Sequence, residues 1–243
     1  MMSVTLREMI PLRRSVRKYQ ARAVEEPLME EIREFMAGLR PLFPEAAVEA
    51  RFVRTEQASF LQKWKNPQFL AFFAAETDGA LENVGFMYQQ LDLFLQSKGL
   101  GSCWVGLGWL NDEVPAPQGM KLAVMMAFGW PDEVPQRSSA GEFKRRELAE
   151  IADRTDERLA CVRIAPSATN SQPWYFVHEG DVLHAFCVIH GLIKKRTLGR
   201  MNHIDMGIAL AHLYVENPET FAFFRAEEAP ALDGYYYVGS VKI

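Results

Sequence analysis

The chain lacks most of the devices by which a protein staples itself together or anchors itself elsewhere. Its three cysteines, Cys103, Cys161 and Cys187, are odd in number, widely spaced and free of any C-x-x-C pair, which excludes a disulfide framework and a cysteine-built zinc site. The five histidines, His178, His184, His190, His203 and His212, form no H-x-x-x-H pair or carboxylate-supported ligand set, so no metal site is expected. No segment approaches the roughly 20 apolar residues that span a bilayer, and the N-terminus has no apolar stretch of signal-peptide length. A soluble, unprocessed, cytoplasmic protein with no membrane partner is expected. An excess of positive charge is missing too. The net charge of -4 repels a polyanion such as DNA, so nucleic acid is not an expected partner, and any bound anion must be held by a local basic cluster.

What the chain does have is apolar mass: 49% of its 243 residues are hydrophobic, enough for a substantial core. Leu28, Ile32, Phe35 and Leu39 recur at spacings of four and three behind Pro27, predicting an amphipathic helix over 27–39. Val84, Met87, Tyr88, Leu91, Phe94 and Leu95 predict a buried helix over 84–98, with Gly99 at the left-handed cap. The apolar runs 70–75 and 122–128 predict strands covered on both faces. After Pro131 a polar passage with Pro135, Ser138, Ser139 and Gly141 reads as a linker, dividing the chain into residues 1–137 and 138–243. The second half predicts helices near 144–151 and 157–164, strands over 174–178 and 182–188, a buried helix over 204–216, and a tail strand over 235–241 that closes a sheet edge. Met206-Gly207-Ile208 matches Val84-Gly85-Phe86, and Trp174 to Val177 echoes Arg51-Phe52-Val53. This suggests a degenerate internal duplication.

Three stretches could carry chemistry. In Arg13-Arg14-Ser15-Val16-Arg17-Lys18, guanidinium forks and a hydroxyl could hold a phosphate, Arg13, Ser15 and Arg17 sharing one face of an extended chain; the same residues could equally form a solvated basic face. In Ala165 to Trp174, two prolines fix the backbone while Ser167, Asn170 and Gln172 offer donors and acceptors that suit the polar edge of a heterocycle. A polar loop with local Asx and Ser turns is the plainer alternative. The stretch from Gly99 to Trp109 is glycine-rich, but it follows a helix rather than a strand, which rules out a dinucleotide-binding loop. Its glycines suit close backbone approach to a flat ligand, or tight helix packing.

Together with Phe128-Gly129-Trp130-Pro131, these stretches resemble the nitroreductase-like family of FMN-dependent oxidoreductases. The resemblance covers most of the chain, and the Pro-Ser and Asn-x-Gln-Pro-Trp loop is its most specific part. It implies an α+β nitroreductase-like fold, a mixed sheet with flanking helices. In ordinary members the loop follows soon after the basic motif, and two subunits exchange these elements. Here the loop arrives about a hundred and fifty residues later, similar to a smaller branch whose single chain mimics the dimer, which implies a monomer as a plausible state. Repeat two offers Lys144-Arg145-Arg146-Glu147 in place of the basic motif, and repeat one Pro41-Leu42-Phe43-Pro44 in place of the loop, so one flavin per chain is implied.

By the same resemblance Arg13, Arg14, Ser15 and Arg17 belong to the phosphate end, with Lys144 or Arg145 adding a second cationic side. Pro166, Ser167, Ala168, Asn170 and Gln172 line the ring or its tail, and Trp104, Val105 and Gly106 lie near the flavin plane. Lys63 or Lys65 would face the N1 and O2 edge. Gly106 stands where usual members often carry an acidic residue near N5, which leaves the shape of the active face open. The implied activity passes reducing equivalents from NADH or NADPH through flavin N5 to a nitroaromatic or quinone-like acceptor, with no catalytic side chain. The alternative is a carrier or sensor that binds flavin without turnover. Cys103 beside the flavin could be redox active or simply a small buried thiol.

Overall fold

The computed structural model describes residues 5–61, 64, 67–189 and 192–243, with the backbone alone at residues 140 and 192–198. Lys63 and Lys65 lie outside the described residues. The strands are β1 (Val48–Val53), β2 (Ala58–Phe60), β3 (Gln68–Ala75), β4 (Gly101–Val105), β5 (Gly108–Leu110), β6 (Met120–Gly129), β7 (Trp174–Glu179), β8 (Val182–Val188), β9 (Ala222–Phe224) and β10 (Tyr235–Lys242). The helices are α1 (Leu6–Met9), α2 (Glu26–Gly38), α3 (Ala80–Ser97), α4 (Leu148–Ile151), α5 (Ala160–Arg163) and α6 (Leu192–Glu216).

Two four-stranded sheets are formed, in the orders β1-β3-β6-β4 and β7-β8-β10-β9, beside a β2-β5 ribbon. Their ladders are antiparallel, while parallel pairing enters through the bridges Ser15–Ser102 and Ala152–Phe176. The continuous apolar runs of β3 and β6 are explained by burial on both faces. Leu70, Phe72, Val124 and Met126 join the main core, whereas Phe69, Phe73, Met125 and Ala127 join a second cluster with Val16, Tyr19 and Val105. This is the strand period of two applied to two central strands that are covered on both faces.

Helix α3 packs on the first sheet, and α3 and α6 pack against one another. They meet backbone to backbone at two glycines. A Cβ on Gly85 would lie 1.9 Å from the Ile204 carbonyl oxygen, and one on Gly207 would lie 2.0 Å from that of Glu82. Any larger residue at either position forces the helices apart.

Several sequence expectations change here. The tail strand β10 lies inside its sheet, and β9 forms the edge instead. The glycine-rich stretch, for which no strand was expected, contributes β4, paired to β6, and its close packing is against Val16 rather than a helix: a Cβ at Gly101 would lie 2.6 Å from Val16. The helix expected over 144–151 shrinks to the single turn α4, and that over 157–164 divides into a 3-10 turn and α5. Helix α6 begins earlier than expected, at Leu192. The polar passage after Pro131 is irregular apart from a 3-10 turn at Ala140–Glu142. Among the described residues no helix is long and apolar enough to cross a membrane.

Candidate functional site

The N-terminal basic segment is drawn along the edge of the first sheet by its one apolar residue. Val16 is fully buried against Gly101, its N–H donates to the Ser102 carbonyl (2.9 Å), and the Ser15–Ser102 bridge continues the contact. Alternation then aims Ser15 and Arg17 into a cavity of about 610 Å3. Arg13 turns the other way. Its guanidinium is buried at 2.8 Å from Asp92 and reaches back to the Ser15 hydroxyl at 3.4 Å. Arg14 gives its N–H to the Gln96 side chain and does not line the cavity.

Asp92 belongs to a polar row on α3, with Gln89 and Gln96 three and four residues away on the same face. It accepts from the Ser102 hydroxyl (2.6 Å) and from Gln89 (3.1 Å). Gln89 in turn accepts from the Trp104 indole (3.1 Å), fixing one wall of the cavity. One buried carboxylate thus ties together Arg13, β4 and, through Gln89, Trp104.

The opposite wall is the loop that leads into β7. Pro166, Ser167, Ala168 and Thr169 line the cavity, and the backbone there is forced: Thr169, Asn170 and Gln172 have φ of 52°, 60° and 47°. Left-handed non-glycine residues cost roughly 1–3 kcal/mol each and persist only where surrounding contacts over-determine them. Those contacts are present. The Gln172 N–H donates to the Ser167 hydroxyl (2.9 Å), and its side-chain oxygen accepts from the Arg146 N–H (2.8 Å). The Asn170 amide donates to the Lys144 carbonyl (2.8 Å) and accepts from Arg145. Asn170, Gln172 and Lys144 therefore shape the loop from behind and are not brought to the cavity wall.

Arg145 stands at this junction, half-buried and without a carboxylate partner among the described residues. Burial first, then the nearby charges of Arg137, Arg13 and Arg163, lower its guanidinium to about 10. Burial and Arg13 likewise lower Arg137. Burial and neighbouring positive charge both disfavour the charged guanidinium, and a nearby anion would offset them.

Trp104 of β4 and Gly106, just past its end, reach the cavity, whereas Val105 is not brought to it and packs in the second core cluster. Trp109 is half exposed on the surface ribbon. Cys103 lines the cavity, and burial raises its thiol above the ordinary value, so it is protonated at neutral pH. All three cysteines are buried and free.

The third wall was not legible beforehand. Met201, Ile204, Asp205 and Ile208 present one face of α6 to the cavity. Asp205 is only 3% exposed, and burial pushes its carboxyl up to about 7 against the lowering effect of the Ala168 N–H and the Ser171 hydroxyl. The signal that could have found it is an acidic residue in the otherwise apolar run from Ile204 to Leu210.

Comparison with known proteins bears on the family and the fold. Residues 5–217 match a family model described as "Putative TM nitroreductase". Among solved structures, the chain is similar to a protein from Thermotoga maritima MSB8 titled a "putative nitroreductase", with 20% identity, 99% of this chain and 94% of that chain covered, and a TM-score of 0.67. That likeness establishes a shared fold. An FMN-dependent nitroreductase from Clostridium difficile R20291 matches with 19% identity over 56% of this chain and 93% of its own, TM-score 0.44. Nitroreductase A from Vibrio parahaemolyticus RIMD 2210633 matches with 19% identity over 61% and 75%, TM-score 0.47. No curated protein matches the chain.

Proposed function

This chain belongs to the nitroreductase family described as "Putative TM nitroreductase", and from that premise we propose that its cavity binds FMN and serves electron transfer from NADH or NADPH to a nitroaromatic or quinone-like acceptor. The observation that carries the reading is convergence. Ser15 and Arg17, from one end of the chain, face Pro166 to Thr169, from far along it, across a single cavity.

The walls fit the group. Trp104, Val124, Ile204 and Ile208 supply flat apolar surface, and Gly106 leaves room at the strand end, since a Cβ there would meet only Met201, at 3.8 Å. Arg17 and the Ser15 hydroxyl suit a phosphate, with Arg13 held behind Ser15 by Asp92, while Arg145 is not brought to the cavity wall and holds Ala165 and Asn170 from behind the loop. When bound, FMN supplies hydride and single-electron chemistry at its ring. The protein's own share is to orient the ring between apolar walls, exclude water and place cations at the anionic end.

The duplication belongs to the same proposal. The reciprocal contacts of Gly85 and Gly207 support it. So does a second cleft, where Pro41 and Leu42 lie near Phe86 much as Pro166 and Ser167 lie near Ile208, but beside the rings of Tyr214, Phe221 and Phe223. With that cleft crowded by aromatics, one FMN per chain and function as a monomer follow.

Counting bound flavin by absorbance after adding excess FMN tests the binding, and about one per chain is expected. Steady-state oxidation of NADH or NADPH with nitro or quinone acceptors tests the activity; FMN binding without acceptor-dependent turnover would leave a carrier or sensor instead. Arg17→Ala should weaken FMN binding about tenfold or more, as loss of a charge-assisted contact requires.

A further inference from the structure

Buried carboxylates are normally saturated with donors, because stripping water from a charge is costly unless hydrogen bonds and counter-charges replace it. Asp205 is an exception inside the cavity. Its two oxygens share the Ala168 N–H, at 3.0 and 3.1 Å, and one of them accepts from the Ser171 hydroxyl at 3.3 Å. Among the described residues no cation lies within ion-pair distance of it. A carboxylate has about four lone-pair sites, so acceptor capacity is left over, and Asp205 itself forms part of the cavity wall.

Its neighbours on α6, Met201, Ile204 and Ile208, are apolar and cannot use that capacity. A polar group coming from within the cavity can. Resting on the FMN reading above, we infer that Asp205 is the cavity's acceptor for the bound cofactor, taking a hydrogen bond from the ring imide N–H or from a hydroxyl of the sugar-alcohol chain. Asp205 thereby acts in two directions. It holds the left-handed loop through Ala168 and Ser171, and it reads a donor on the ligand that the loop encloses.

The contact is strongest with the ionised carboxylate, so it changes with pH near neutrality. Other titratable and charged groups around it are Arg17 and Cys103 on the cavity wall and Cys187 from β8. On other faces of α6, His203 pairs with Glu82 and Tyr236, and His212 with the Cys161 carbonyl. Comparing wild type with Asp205→Asn at each pH cancels these groups and the titration of the FMN phosphate, since both proteins share them.

The experiment measures FMN dissociation constants for wild type, Asp205→Asn and Ser171→Ala at pH 5.5 and 8.5. Asparagine keeps an oxygen for the Ala168 N–H. The expected result is about tenfold or more weaker binding by Asp205→Asn at pH 8.5, a ratio that shrinks at pH 5.5, and little effect of Ser171→Ala. Lumiflavin, which lacks the sugar-alcohol chain, separates the two donors: the same ratio assigns the ring N–H, and a ratio near one assigns a hydroxyl.

A ratio near one with FMN at both pH values overturns the inference. So does equal, pH-independent weakening by Asp205→Asn and Ser171→Ala, which would reduce Asp205 to a loop fastener. Failure of wild type to bind FMN overturns the parent reading as well, and is recognised in the wild-type arm alone. Should Asp205→Asn not fold, infrared difference spectra of wild type serve. FMN binding must then perturb a buried carboxyl band, and an unperturbed band overturns the inference.

Discussion

Asp92 on α3 and Asp205 on α6 are carboxyls on two packed central helices, 0% and 3% exposed, and the protein provides for them in opposite ways. Asp92 has a guanidinium at 2.8 Å, a hydroxyl at 2.6 Å and an amide at 3.1 Å. Asp205 has one N–H and one hydroxyl. The first is a structural tie whose charge is spent within the fold, while the second keeps capacity facing a cavity. Burial alone therefore does not mark a functional acid; the shortfall of donors does.

The comparison breaks most severely at Asp92. Asp92→Ala strands the Arg13 guanidinium in a site that is 3% exposed, and denaturant unfolding should show a loss of about 3–5 kcal/mol. A loss below about 1 kcal/mol would mean that Arg13 finds water or another partner and that the tie is dispensable.

At Asp205 the sign reverses with pH. Its folded value of about 7 lies above the unfolded value of roughly 3.9, so the folded state holds the proton more tightly, and stability falls as pH rises from about 4 through 7. Asp205→Asn removes that loss. It should gain about 2–4 kcal/mol on wild type between pH 4.5 and 8.5, read from denaturant midpoints, and a constant difference would contradict the assigned shift.

His212 sharpens the contrast from the acid side. It is fully buried, contacts the Gln89 amide and the Cys161 carbonyl, and burial depresses it to about 4. The unfolded imidazole titrates near 6.5, so its stabilising contribution is complete above that pH and is lost as pH falls toward 4. His212→Gln should flatten this acid limb by about 2–3 kcal/mol, measured as stability at pH 4.5 relative to pH 7.5. The smallest effect is expected at Ser171, where Ser171→Ala deletes one hydroxyl donor and should cost about 0.5–1.5 kcal/mol in thermal or denaturant unfolding.

Much of the fold was legible because local periodicity records burial. The 3.6-residue repeat of α3, the unbroken apolar runs of β3 and β6, and Gly99 as a left-handed cap with φ of 80° each reflect one element meeting one environment. Strand β4 was not legible because glycine weakens the strand signal, and what demands Gly101 is Val16, far away in sequence. The place of β10 inside its sheet was equally hidden, since β9 is only three residues long.

The candidate site divides along the same line. The motif from Arg13 to Arg17 and the loop from Pro166 to Thr169 announced themselves by residue type. Which members face the cavity did not, because the second core cluster takes Val105, Asp92 captures Arg13, and Arg145 with the 144–146 backbone engages Asn170 and Gln172 from behind.

The sequence by itself determined the family, the two halves of the cavity and the apolar elements that carry them, since composition and period are local properties. Only the tertiary structure decided that α6 supplies the third wall and that Asp205 stands there short of donors. Desolvation and hydrogen-bond supply depend on what is packed around a group, and no neighbour in the chain encodes that.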